Sequence, residues 1–217
     1  MTESTREKLL QVAEKLIAQN GIGKTSLRQI VKEAGANIAA VNYHFGSKDD
    51  LMVAVYEQHF TPVNNERIRR LDLLEDDSDG QPVALEKLLD AFMMPVFEGK
   101  LKDPTERAHN LQLFSRIHTE TPELRMKILN SFSDVLMRFV EAFQKTLPEH
   151  TVSEIFLRMK CSMGILMTLA MELPELSRLA NSDEHKLDSE QLPATLISFA
   201  AAGFRAKAAP KPNQGDT

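Results

Sequence analysis

The chain has 217 residues, 42% hydrophobic and 26% charged, enough for one or two domains with a sizeable core. No run of eighteen or more residues is apolar, and the charged start MTESTREKLL lacks a signal peptide's apolar stretch, so a cytoplasmic chain with no membrane partner is expected. The net charge of −5 falls wholly outside residues 1–60, which carry seven groups of each sign, and Cys161 stands alone, which precludes an internal disulfide.

Leu9, Ala13, Leu16 and Ile17 follow helical spacing and predict a first helix, opened by a Ser4–Glu7 capping box and closed by Gly21. After the GIGK turn, Thr25 is placed to cap a second helix whose buried face is Leu27, Ile30, Val31 and Ala34, and which stops at Gly35. Asn37 is placed to cap a third, shorter run, IAAVNYHF. Ser47, with Asp50 three residues on, starts a fourth helix, expected from Lys48 to about Gln58 with Leu51, Met52 and Val55 on its apolar face.

Two short helices joined by a tight Gly turn and packed on a longer first helix make a helix-turn-helix unit. In that unit Val41 and Phe45 lie one turn apart and face inward, which leaves Ile38, Ala39, Asn42 and Tyr43 pointing out. Ala39 and Ala40 are small enough for a close approach to a surface, and the Asn42 amide suits the N6 and N7 edge of adenine in a major groove. Thr25 and Ser26 at one helix start, and Tyr43 and Lys48 near another, are expected to donate to phosphates, while Arg28 can reach a phosphate or a guanine edge. Taken singly, Arg28 and Lys48 read equally well as solvated surface charges. A head with no net charge can still bind phosphate when its basic groups and helix N-termini share a face. With the cap Asn37 and the adjoining His44, the expected DNA-facing set is Thr25, Ser26, Arg28, Asn37, Ile38, Ala39, Ala40, Asn42, Tyr43, His44 and Lys48.

The segment TSLRQIVKEAGANIAAVNYHFGSKDDL resembles the N-terminal DNA-binding domain of the TetR family of bacterial transcription regulators, over roughly residues 5–58. The matching features are Thr25, Ala34-Gly35, Tyr43-His44-Phe45 and Ser47-Lys48. Asn42 stands where the commoner pattern has Tyr, which argues against carrying over any operator sequence. The resemblance implies an all-α fold, with an N-terminal three-helix domain followed by a larger helical domain for ligand binding and dimerisation.

Beyond it, residues 57–84 are rich in charge, and DDSDG with Pro82 reads as an exposed turn or disordered spacer. Apolar periodicity then predicts helices near 84–99, 104–119, 122–147, 152–172 and 190–207, with Thr121-Pro122 and Thr151/Glu154 as start signals. Residues 208–217 read as a disordered tail, so the expected domains are 1–50 and 51–207. CSMGILMTLAM is apolar nearly all round and calls for burial on more than one side, either as a monomer's central helix or between two copies. A twofold homodimer is therefore expected through Phe156, Met159 and Leu166 on one helix and Leu196, Phe199, Ala200, Gly203 and Phe204 on the last.

Met93, Met94, Phe97, Phe114, Phe132, Phe139, Met163 and Met167 are adaptable or aromatic side chains, either plain core or the lining of a pocket. Pro95 should kink or break its apolar helix, and Arg116 and His118, with His109, interrupt the next one with groups able to orient a polar head. The body is similar in layout to the fatty-acid-responsive PsrA-like regulators. That similarity implies a fatty acid or acyl thioester as effector, with Arg116 either near its carboxylate or acting as a structural ion-pair partner.

The function expected is a ligand-responsive repressor, released from a palindromic operator when a small apolar effector binds. No cofactor or metal is expected, and no enzyme motif such as HExxH, a phosphate loop, a nucleophile elbow or CxxC occurs. The alternatives are a metal-responsive regulator and a small-molecule-binding enzyme with a degenerate helix-turn-helix. His109 and His118 fall half a helical turn from one another and do not converge on a metal by themselves.

Overall fold

A computed structural model describes residues 4–98, 113, 117, 120–179 and 191–207, and no strand occurs among them. The chain divides into two compact units: Met1–Ile68 with Pro95–Val135, and Arg69–Met94 with Leu136–Thr217. The expected tail and most of the helix expected at 104–119 lie outside the described residues.

In the first unit, α1 (Thr5–Asn20) opens with the predicted capping box. The Ser4 hydroxyl accepts from the Glu7 N–H (3.2 Å), and the Glu7 carboxylate accepts from the Ser4 N–H (2.8 Å). α2 (Leu27–Glu33) and α3 (Ile38–Phe45) pack on α1 and on each other. Leu9, Leu16, Ile17, Ile30 and Val41 fill the space between them, and Leu51, Met52, Val55 and Tyr56 continue that core along α4. Each such buried aliphatic side chain contributes about 1.5–3 kcal/mol of burial free energy, which is what holds helices this short in place.

α4 runs unbroken from Lys48 to Asp77, so the expected end near Gln58 and the spacer reading of 57–77 are both corrected. The reason is a stripe at helical spacing, Val63, Arg67 and Leu71, that is buried despite the charges around it. Pro62 sits inside α4 on its exposed side, where water can satisfy the carbonyl that proline leaves without a donor. The predicted turn follows, with Asp79 (φ 48°) and Gly80 (φ 78°) in the left-handed region.

α5 (Leu85–Met93) gives way at Pro95 to a 3-10 turn, Met94–Phe97, because proline brings no N–H to the α-helical ladder. The single helix expected over 122–147 is two, α6 (Pro122–Asn130) and α7 (Ser133–Thr146). The Ser131 and Ser133 hydroxyls donate to the carbonyls of Ile128 (2.8 Å) and Asn130 (2.9 Å), satisfying backbone acceptors where the helix stops.

In the second unit, α8 (Val152–Leu179) starts on the predicted Thr151–Glu154 box, and α9 (Leu192–Arg205) packs on α5 and α8. Phe139 lies 5.1 Å from Phe92, and Phe143 lies 4.7 Å from Phe204 (ring centroids), an aromatic core.

Candidate nucleic-acid interface

α3 is short, and its ends are held by the residues that bracket it. The Asn37 side chain accepts from the Ala40 N–H at 2.9 Å, and Gly46, at φ 91°, closes the helix by donating to the carbonyls of Asn42 (3.1 Å) and Val41 (3.3 Å). Val41 is fully buried against α1 and α2, which fixes how α3 is rotated. The opposite side therefore faces solvent: Ile38 is 44% and Tyr43 86% exposed, and Ala39 and Asn42 are exposed with them. Ala40, His44 and Phe45 are half-buried, and the His44 ring meets Tyr43 edge-on at 5.0 Å.

Thr25 differs from expectation. The cap of α2 is Ser26, whose hydroxyl accepts from the Gln29 N–H at 3.2 Å, while Thr25 is buried and donates inward to the carbonyls of Gly21 (2.7 Å) and Leu16 (3.2 Å). Gly21 ends α1 and leaves carbonyls needing a donor, and a threonine four residues on supplies it. Thr25 is accordingly removed from the phosphate-facing set. Ser26 and Arg28 remain exposed.

At the start of α4, Ser47 accepts from the Asp50 N–H (3.1 Å) and donates to the Asp50 carboxylate (2.6 Å). Lys127 of α6 reaches the same carboxylate at 2.6 Å. The Lys127 hydrogen bond and then that of Ser47 hold the Asp50 carboxyl below its ordinary value of 3.8. The half-buried Lys48 sends its ammonium to the Ile22 carbonyl at 3.4 Å, a long bond that anchors the side chain beside the α1–α2 turn. Arg6, which sequence reasoning passed over, places its guanidinium 5.3 Å from the centre of the Phe45 ring. Only the tertiary fold brings α1's first turn to the end of α3, so no local signal marks Arg6.

The side chains expected to line a pocket fall in both units. Phe97 and Phe132 belong to the first, where Phe132 meets Phe60 edge-on at 5.5 Å; Met93, Met94, Phe139, Met163 and Met167 belong to the second. Phe114, Arg116 and His118 lie outside the described residues. Sequence reasoning missed Asn64 and Arg67 on α4, both buried, with the guanidinium donating to the Asn64 carbonyl oxygen at 2.9 Å. Burial pushes the Arg67 pKa down to about 10. Their three-residue spacing in register with Phe60 and Leu71 was the available signal.

Five of the expected dimer residues, Met159, Leu166, Leu196, Ala200 and Phe204, are buried within the chain itself, so a partner could not cover them. Phe156 (40% exposed), Phe199 (63%) and Gly203 are open, together with Leu157 (63%) and Val152 (44%), which were not anticipated. α9 is fastened from α8 by Arg158, which donates to the carbonyls of Gly203 (3.1 Å) and Ala206 (2.8 Å), while the buried His150 Nε2 lies 2.9 Å from the Phe204 carbonyl. An open groove of about 830 Å³ runs along α5 and α9, crossed by an Arg205–Glu86 ion pair of 2.6 Å, and none of the expected pocket residues lines it.

Residues 90–203, more than half the chain, match the family described as "Tetracyclin repressor-like, C-terminal domain", and residues 9–55 match "Bacterial regulatory proteins, tetR family". The chain belongs to the TetR family. Among its curated relatives, the regulator AcrR of Shigella flexneri is 40% identical over 55 residues, 25% of this chain and 26% of that one. HdnoR of Paenarthrobacter nicotinovorans, named a nicotine-responsive transcriptional repressor, is 28% identical over 100 residues, 46% and 50% of the two chains. The chain thus spans between a quarter and a half of the length of these TetR relatives. In fold it is similar to the fatty acid degradation regulator FadR from Bacillus halodurans, with a TM-score of 0.58 at 16% identity over 95% of this chain and 100% of that one.

Proposed function

We propose that the protein is a homodimeric transcriptional repressor that grips a palindromic DNA operator and releases it when a small apolar effector enters its helical body. The observation that carries the DNA part is the α3 surface: a helix held at both ends and rotated by a buried Val41, so that Ile38, Ala39, Asn42 and Tyr43 project together, with Ser26 and Arg28 exposed on the neighbouring α2 and Lys48 at the start of α4. A face of that width and polarity suits a major groove, with hydroxyl and cationic groups at its margins for phosphates.

Two copies would set two such helices about 34–36 Å apart across successive major grooves. Support for the dimer is the uncovered apolar set Val152, Phe156, Leu157 and Phe199. For the effector, the similarity of the body to fatty-acid-responsive regulators, and to the fold of FadR, a fatty acid degradation regulator, favours a fatty acid or acyl thioester. The buried Arg67–Asn64 pair is a candidate for meeting its polar end. Because DNA fixes the half-site spacing, an effector that favours a body with wider-set heads weakens binding by population shift alone.

The deciding experiment is selection of genomic fragments by the purified protein at fixed salt, with Tyr43→Ala and Lys48→Ala as controls. Enrichment of one palindrome by the wild type, lost in both variants at unchanged melting temperature, is the expected outcome. Full enrichment by both variants would remove α3 and the start of α4 from the interface.

A further inference from the structure

We infer that α3 reads an A·T half-site, with Ile38 packing on a thymine methyl and Asn42 pairing with an adenine about two base pairs away. This rests on the DNA-binding function proposed above and specifies which bases the interface selects.

The outward surface of α3 is Ile38, Ala39, Asn42 and Tyr43, and none of these is an arginine or lysine. Guanine is read chiefly by bidentate arginine or lysine at O6 and N7, so the centre of this face has no guanine reader. The exposed guanidinium nearby, Arg28, is on α2, the Arg6 guanidinium lies over Phe45, and the Lys48 ammonium is directed to the Ile22 carbonyl. Any guanine contact therefore falls at the edge of the half-site.

What the centre does offer is a branched hydrocarbon and a primary amide. Ile38 is 44% exposed at the first position of α3, beside Ala39, whose methyl adds to the same apolar patch. The major-groove feature that an aliphatic side chain can recognise is the thymine C5-methyl. Asn42 lies one turn on, and its amide offers the acceptor and donor that match adenine N6 and N7. Positions four apart in a helix are separated by about 6 Å along its axis, against a rise of about 3.4 Å per base pair, which sets the two contacts about two steps apart. Asn37, by contrast, has its carbonyl oxygen engaged by the Ala40 N–H and is committed to capping.

The test starts with selection from a random duplex library, followed by affinity measurements on the selected site with single thymines replaced by uracil, which removes only the methyl. The expected result is a palindrome with A·T pairs at its central half-site positions. One uracil replacement should weaken wild-type binding about fourfold, the loss of one methyl's burial, and leave Ile38→Ala binding unchanged. Asn42→Ala should lose about tenfold to a hundredfold and relax selection at the adenine. Both side chains are solvent-facing, so each variant should melt with the wild type. A selected palindrome with G·C pairs at these positions, or equal uracil effects in wild type and Ile38→Ala, overturns the A·T assignment and leaves the DNA-binding proposal standing. Absence of any selected sequence overturns both.

Discussion

At Thr25 and Tyr43, two hydroxyl residues of the same small domain, burial alone assigns opposite jobs. Thr25 is 1% exposed and donates to two carbonyls at the end of α1, so Thr25→Val leaves those acceptors without their donor. The expected cost is about 1–3 kcal/mol, seen as a lower melting temperature, with operator affinity of the folded protein unchanged. Tyr43 is 86% exposed, and Tyr43→Phe should do the reverse: an unaltered melt, with weaker DNA binding through loss of the phosphate contact proposed for its hydroxyl, so equal affinity would contradict that contact. Both are hydroxyl-bearing residues near helix ends in the sequence. What separates them is the closure of α1 at Gly21, which turns one toward the interior.

Most helix-turn-helix starts and stops are written locally: Ser4, Gly21, Asn37 and Ser47 do in the structure what their residue types imply, whereas α2 is capped by Ser26 and not by the neighbouring Thr25. Charge density between Glu57 and Asp77 masks the buried stripe that extends α4, and apolar periodicity running on through Asn130–Phe132 hides the break between α6 and α7. The ties between elements were not legible at all, since Lys127 and Asp50 are distant in sequence. That ion pair joins α6 to the first turn of α4. Its two side chains are 48% and 40% exposed, so solvent screening limits its stability contribution to about 0.5 kcal/mol. The sign follows from the lowered Asp50 pKa: the contribution is present above the ordinary value of 3.8 and fades as pH falls through the lower folded value. Melts of wild type and Lys127→Ala should therefore differ slightly at neutral pH and converge in acid. A gap that widened in acid would contradict the assignment.

For the molecule as a whole, five of the eight residues expected at a dimer surface, Met159, Leu166, Leu196, Ala200 and Phe204, are buried in the chain's own core. Helical periodicity marks apolar positions without saying which of two faces the chain covers itself, and α8 keeps Met159 and Leu166 for its own core while leaving Phe156 and Leu157 open. Leu157→Glu and Phe199→Glu should accordingly turn a dimer into a folded monomer in sedimentation, and the monomer should bind a full palindrome far more weakly. Phe204→Ala, inside the aromatic core, should instead cost about 3–5 kcal/mol of stability. A dimer that survives both glutamate substitutions would put the interface elsewhere.

The chain has two tyrosines and no tryptophan, and the fold has separated the two completely. Tyr43 is 86% exposed on the surface of α3 proposed to meet DNA, whereas Tyr56 is fully buried on α4 and donates its hydroxyl to the Leu113 carbonyl at 3.2 Å. Intrinsic fluorescence excited near the tyrosine band is thus a two-channel signal supplied by the protein itself. In Tyr43→Phe the emission comes from Tyr56 alone and reports whether α4 keeps its hold on Leu113. On the proposed DNA-facing role of α3, the signal lost with Tyr43 should report the arrival of a duplex. Titrating an effector against both proteins would time the event in the body and the event at the DNA separately, with no label attached.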